Sequence, residues 1–168
     1  MYRKQTELVD IAERCGRHSK EVQRQQILLS KSLNFCLVAV RNTILNPGSQ
    51  TPGVDNKTLT NQSTNGDKIQ MVETIQKQII SSSYESHPVK WVKGVKGVKG
   101  VKIPKANGKT LTLGLGIPTI RDRCLQNLMK LVLEPLVESQ SDPNSYGCRP
   151  HRSEKNALGY LRYLLYSH

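Results

Sequence analysis

At 168 residues and 18.9 kDa the chain has room for one domain, or for one compact domain carrying an extra helical arm. Its 25 Lys+Arg outnumber 13 Asp+Glu, and the net charge of +12 with a pI near 9.7 favours a polyanion, nucleic acid first, over a small-molecule substrate. Hydrophobic residues are 36% and aromatics 5%, lean for a self-sufficient core, so contacts with neighbouring proteins are expected to complete it.

No run approaches the roughly 18 apolar residues of a membrane-spanning helix, so no span is expected. Cys15, Cys36, Cys124 and Cys148 are scattered, with no Cys-x-x-Cys and no His at zinc-finger spacing. Neither a metal site nor a cofactor is therefore expected, and the thiols read as reduced and mostly packed. Met1 to Arg17 is polar and charged throughout, unlike a secretory signal, although its basic bias is compatible with organellar import.

In chain order, Met1 to Arg17 forms a short helix through Leu8, Val9 and Ile11, with Gly16 as its stop. From about Ser19 to Leu45 the positions Val22, Leu29, Leu33, Cys36, Val40 and Ile44 recur at helical threes and fours, which predicts the longest helix. Its other faces carry Lys20, Arg24, Lys31 and Arg41, suited to solvent or to an RNA backbone. Asn46-Pro47-Gly48 ends it, Thr51-Pro52-Gly53 continues as loop, and residues 56–66 are polar surface. Asp67 then caps a helix with Ile69, Val72, Ile75 and Ile79 on one face, closing at Ser81-Ser82-Ser83.

A lysine ladder follows. Lysine recurs every third residue from Lys90 to Lys105 through a Val-Lys-Gly repeat, and the window from Pro88 to Lys109 holds seven lysines and no acid. Period three fits neither helix nor strand. A polyproline-II-like path would align these lysines along one edge, whereas a strand would split them between faces. A soluble hairpin tip is the plain reading; phosphate contact with a steep salt dependence is the functional one. Asn107-Gly108 tolerates the positive φ of a tight turn, which predicts a basic strand before it and a return strand from Thr110 to Leu115.

Thr119 with Asp122 three residues on is a capping-box pattern just after Pro118, with an apolar face at Cys124, Leu128 and Leu131. Arg121 and Arg123 fall in that helix's first turn, where the macrodipole favours acids. On their own they read as solvated. Pro135 is expected to end or kink this helix at Glu134. Residues 139–150 are loop, and a last helix from about Arg152 to Tyr166 is expected to bury Ala157, Leu158, Leu161 and Leu165.

Three spaced motifs stand out: Ile103-Pro104-Lys105-Ala106-Asn107-Gly108-Lys109, Gly116-Ile117-Pro118-Thr119-Ile120-Arg121-Asp122-Arg123, and Ser145-Tyr146-Gly147-Cys148-Arg149-Pro150-His151-Arg152-Ser153. Together they resemble the fingers region of the group II intron reverse transcriptases, or maturases. Ala39-Val40-Arg41, Thr51-Pro52-Gly53-Val54-Asp55 and Tyr84 with Pro88-Val89-Lys90 extend the resemblance, in the family's order, over residues 21–165.

The resemblance implies an α+β fold, mostly helical, with a small antiparallel hairpin. Residues 1–55 would correspond to the family's N-terminal extension and 56–168 to a partial fingers subdomain. The resemblance also implies RNA contact, ribosomal or intron, and charge together with motif selects Arg24, Arg41, Lys90, Lys93, Lys96, Lys99, Lys102, Lys105, Lys109, Arg121, Arg123, Arg149 and Arg152 as the contact candidates. Polymerisation in this family needs palm carboxylates beyond the last motif here, including an adjacent aspartate pair; the chain reaches only His168 and has no Asp-Asp. Leu113 and Gly114 stand where the family has Arg-Pro, Cys148 replaces Phe and His151 replaces Gly. The expectation is a non-catalytic RNA-binding protein of maturase descent in an organellar ribonucleoprotein such as a mitochondrial ribosome. The alternative is the fingers of a split reverse transcriptase or maturase completed by another polypeptide, and a chloroplast or bacterial cytoplasm is the alternative setting.

Overall fold

The structure, a computed structural model, describes residues 1–93, 102–104, 110–112 and 114–166. These form six α-helices, a 3-10 turn and four short strands: α1 (Tyr2–Cys15), α2 (Lys20–Lys31), α3 (Leu33–Leu45), the turn Pro47–Gln50, α4 (Asn65–Ser81), β1 (Lys90–Lys93), β2 (Lys102–Pro104), β3 (Thr110–Thr112), β4 (Gly114–Ile117), α5 (Ile120–Gln140) and α6 (Glu154–Tyr166). The fold class is the expected one, mostly helical α+β.

Two compact units divide the chain. One is Ile27–Val132 with Met1, and the other joins Tyr2–Gln26 to Leu133–His168. The core of the first is built from Phe35, Cys36, Ala39, Val40, Val72, Ile75, Ile120, Cys124 and Leu128, all 3% exposed or less. Phe35, the chain's single phenylalanine, sits off the stripe that periodicity picked out, while Leu33 on that stripe is half exposed. In the second unit Leu8, Ala12, Val22 and Leu136 are buried.

The expected helix over residues 19–45 is two helices. α2 and α3 meet at Ser32 with a bend of 64°, and Ser32 adopts an extended conformation (φ −71°, ψ 127°). Its carbonyl accepts from the amides of Phe35 and Cys36, so it serves as the N-cap of α3, while the Ser30 hydroxyl bonds back to the Ile27 carbonyl. The Ser32 side chain makes no capping bond, so of the two serines only Ser30 competes with the helical backbone through its hydroxyl. The longest helix is instead α5, at 21 residues. Among the described residues no single helix is long and apolar enough to cross a membrane.

Two further boundaries and one burial pattern differ from expectation. The cap of α4 is Thr64, not Asp67: the Thr64 hydroxyl accepts from the Asp67 amide and the Asp67 carboxylate accepts from the Thr64 amide, a reciprocal capping box. Pro135 lies inside α5, which runs on to Gln140. Proline removes one helical donor, a loss offset beyond it by burial of Leu136. α6 buries none of its residues, and Leu158, Leu161 and Leu165 are at least half exposed. Periodicity located the apolar face of α6 but carries no information on whether anything covers it.

The strands pair antiparallel as nested couples, Lys90–Lys93 with Gly114–Ile117 and Lys102–Pro104 with Thr110–Thr112. The expected return strand is thus divided, β3 pairing with β2 and β4 with β1. Cross-strand partners impose strand geometry at both ends of the ladder, where period three alone favours none. The repeat core (residues 94–100) and the Asn107-Gly108 turn lie outside the described residues.

Gly53 marks a close approach. A β-carbon there would lie 2.8 Å from Thr119 Cα and 2.9 Å from Thr119 N, both backbone atoms that cannot swing aside. Gly53→Ala is expected to destabilise the protein by about 1–3 kcal/mol in chemical denaturation, with the slope of the transition unchanged.

Candidate nucleic-acid interface

The start of α5 carries the second of the three motifs and draws Tyr84, His87 and the 48–53 loop to it. Thr119 and Asp122 pair as the spacing predicts, the hydroxyl donating to Asp122 Oδ2 at 2.9 Å and accepting from the Asp122 amide at 3.3 Å. Both residues are buried, at 1% and 4% exposure, so the carboxylate needs partners. It accepts from the Tyr84 hydroxyl and from the His87 amide, each at 3.3 Å. The Tyr84 phenol is raised above its ordinary pKa by burial and by the Asp122 charge beside it. Tyr84 entered the sequence reading through its motif; His87, which meets this cluster through both its amide and its ring nitrogen, was missed because it lies outside the motif residues.

The flanking arginines bind backbone. Arg123 donates from Nε to the Pro118 carbonyl (3.0 Å), from Nη1 to Gly48 (2.6 Å) and from Nη2 to Thr51 (2.7 Å). This fixes the 48–53 loop against α5. Arg121 Nη2 donates to the Glu85 carbonyl at 2.6 Å, to His87 Nδ1 and to Asp122 Oδ1 at 3.4 Å, with its guanidinium 5.6 Å from the Tyr84 ring centre. These charges therefore have acceptors inside the protein, which the macrodipole argument left open.

The last motif repeats the pattern. All five N–H donors of Arg149 have acceptors between 2.5 and 3.4 Å: the Glu138 carboxylate and carbonyl, and the carbonyls of Asp142 and Ser145. As placed, Arg149 has no donor left for a phosphate. Its side chain is 9% exposed. Arg152 donates to the carbonyls of Pro143 and Ser145 and lies 5.4 Å from the Tyr146 ring centre. Glu138, eleven residues upstream, was invisible to motif reading.

The other candidates face outward or lie beyond description. Arg24, Arg41 and Lys90 are exposed. Lys93 and Lys102 have their backbones in β1 and β2, and Lys96, Lys99, Lys105 and Lys109 fall outside the described residues. Of the thiols, Cys36 and Cys124 are buried and raised by desolvation, Cys124 to about 11, while Cys15 and Cys148 are exposed, so only half are packed. Exposure of Cys148 follows from its position in the polar 141–153 loop. Among the described residues no cluster of three His, Cys, Asp or Glu could hold a metal ion.

Two outcomes are expected in the 141–153 loop. The Arg149 hydrogen bond holds the Glu138 carboxyl below its ordinary pKa. The pair's contribution is therefore present above the unfolded-state carboxylate pKa and is lost as pH falls through the lower, folded one. Amide exchange in residues 142–152 is expected to speed up selectively over that acid range, and Glu138→Gln is expected to abolish the pH dependence. His151, at φ +58°, holds the left-handed conformation that β-carbons disfavour. His151→Gly is expected to raise stability by about 1 kcal/mol in thermal unfolding.

No protein-family model matches the chain. Over 142 residues, 83% of its length, it is 37% identical to Protein YkfC of Escherichia coli, of which it covers 33%. It is 27% identical over 158 residues to the group II intron-encoded protein LtrA of Lactococcus lactis, 90% of this chain and 24% of that protein. With the putative COX1/OXI3 intron 1 protein of Saccharomyces cerevisiae it shares 21% over 145 residues, 86% of this chain and 16% of the relative. The chain is thus a homologue of group II intron-encoded maturase and reverse transcriptase proteins over most of its length, matched to a third or less of theirs, as a segment from their N-terminal side would be.

Proposed function

We propose that this chain is an RNA-binding protein of group II intron maturase descent that performs no chemistry itself and works as a structural component of a ribonucleoprotein. The observation that carries the reading is the run from Pro88 to Lys109, seven lysines without an acid, in a chain of net charge +12. Such a run neutralises successive phosphates and releases their counterions. Exposed Arg24, Arg41 and Lys90 add to the same field.

The four motif arginines take a different part. Arg121, Arg123, Arg149 and Arg152 hold the backbone of the 48–53, 84–87 and 141–153 segments, and any RNA contact made by Arg121, Arg123 or Arg152 uses donors left over from the acceptors they hold. Phosphate contacts position a protein without reading bases, so little sequence preference is expected. The absence of chemistry is proposed from these residues themselves, which contain no adjacent aspartates to clamp a metal pair. Within the class we place the protein in an organelle, as part of a mitochondrial ribosome or similar assembly, where permanent RNA and protein neighbours would complete a lean core. The Saccharomyces cerevisiae relative supports that compartment, and the bacterial ones make a bacterial cell the alternative.

A second reading is favoured by one observation, that the chain spans a third or less of its relatives. It would then be the fingers of a reverse transcriptase or splicing maturase whose palm and thumb are supplied by further polypeptide. Primer extension with the native, co-purified particle separates the two, since synthesis occurs only under the second.

The RNA reading is tested by titrating structured RNA across a salt series. Affinity is expected to fall steeply with salt, and Lys96→Ala with Lys99→Ala to flatten the log–log slope by about one to two units. An affinity indifferent to salt, or a slope unchanged in the double variant, removes the ladder from the interface.

A further inference from the structure

We propose that the groove between α3 and α4 is a docking site for an amphipathic helix of another protein, one whose apolar face is flanked by acidic residues. It shares Arg41 with the RNA reading but does not rest on it, and the variants used to test it spare that residue. The groove has a volume of about 430 Å³. Val40 and Val72 form its floor at 2% and 3% exposure, and Leu37 and Ile69 form its walls at 44% and 56%. Leu33 and Leu45, each about half exposed, lie one turn either side of Leu37 and Arg41 on α3 and lengthen the same stripe.

Charge selects the partner. The ionisable groups lining the groove are Arg41 and Lys68. Lys68 Nζ is held by the Asn61 carbonyl at 2.9 Å, which fixes one of its three donors and leaves the charge at the groove. The nearest carboxylate in sequence, Asp67, is turned back into the capping box on Thr64. An apolar strip with cations beside it complements a helix with acids beside its apolar anchors.

Shape and composition exclude the other occupants. Leu37 to Ile44 spans about 10 Å of α3, two turns, the reach of anchors at i, i+3 or i+4, and i+7 on a docked helix. RNA bases stack on aromatic faces, and no aromatic residue lines the groove. A second copy of the chain would bring another net charge of +12 against this one.

The test uses the full chain and a fluorescein-labelled helical peptide with Leu at i, i+3, i+4 and i+7 and Glu beside them. Controls are a scramble of the same composition and a version with Lys for Glu. In anisotropy titrations the acidic amphipathic peptide is expected to bind at least about tenfold tighter than either control. Leu37→Gln and Ile69→Gln, at exposed positions that leave the fold and RNA affinity intact, are expected to lose about tenfold, and Lys68→Glu to weaken binding likewise. Equal binding of the scramble, or no loss in the glutamine variants, overturns the proposal. So does a dimer in sedimentation that Ile69→Gln dissolves, or protection of α3 and α4 amides by RNA and not by peptide. Because the glutamine variants are read against both ligands, failure of the peptide leaves the RNA titration untouched, and the reverse.

Discussion

Asp122 is the constraint on which this structure depends. A carboxylate at 4% exposure is tolerable only where donors surround it, and here they come from three places in the chain: the Thr119 hydroxyl, the Tyr84 hydroxyl and the His87 amide. Hydrogen bonds to a charged acceptor contribute about 1.5–3 kcal/mol each, and losing one from a buried carboxylate costs as much again in desolvation. One residue on, Arg123 collects carbonyls from 48, 51 and 118. The first turn of α5 therefore fixes the segment before the basic strands and the loop after α3 at once. Gly53 completes the joint, since only a residue without a β-carbon lets the loop backbone come this close to Thr119.

The arginines and lysines of this basic chain divide the work by chemistry. Arg123 and Arg149 use the fixed fork of the guanidinium to hold several carbonyls at once, a task a single ammonium point charge cannot perform. The lysines cluster in the 88–109 stretch, where no acid competes for them. Architecture thus draws on one kind of cation, and the excess charge that points to a polyanion resides chiefly in the other.

Apolar surface divides similarly. The unit around Phe35 and Cys36 closes a compact core, yet the outer sides of α3 and α4 keep Leu33, Leu37, Leu45 and Ile69 exposed, and α6 buries nothing. A homologue of much longer proteins is expected to show such faces, because the surfaces that neighbours cover are built into each segment.

The sequence alone determined the fold class, the strands at Lys102–Pro104 and Thr110–Thr112, the pairing of Thr119 with Asp122 and the family, because these depend on local patterns: a cap within three residues, an apolar period, a motif order. It misplaced what depends on competition between near neighbours. At Ser32 an extended backbone interrupts a continuous apolar period, and at Pro135 the helix does not end but runs on to Gln140. Tertiary structure decided the fate of the arginines and of the apolar stripes. The acceptors of Arg123 and Arg149 are mainly backbone carbonyls, in part more than seventy residues away, and a carbonyl is present at every residue and so leaves no mark in the sequence. Whether an apolar face is covered is likewise a property of what lies opposite it, which no periodicity within a single helix encodes.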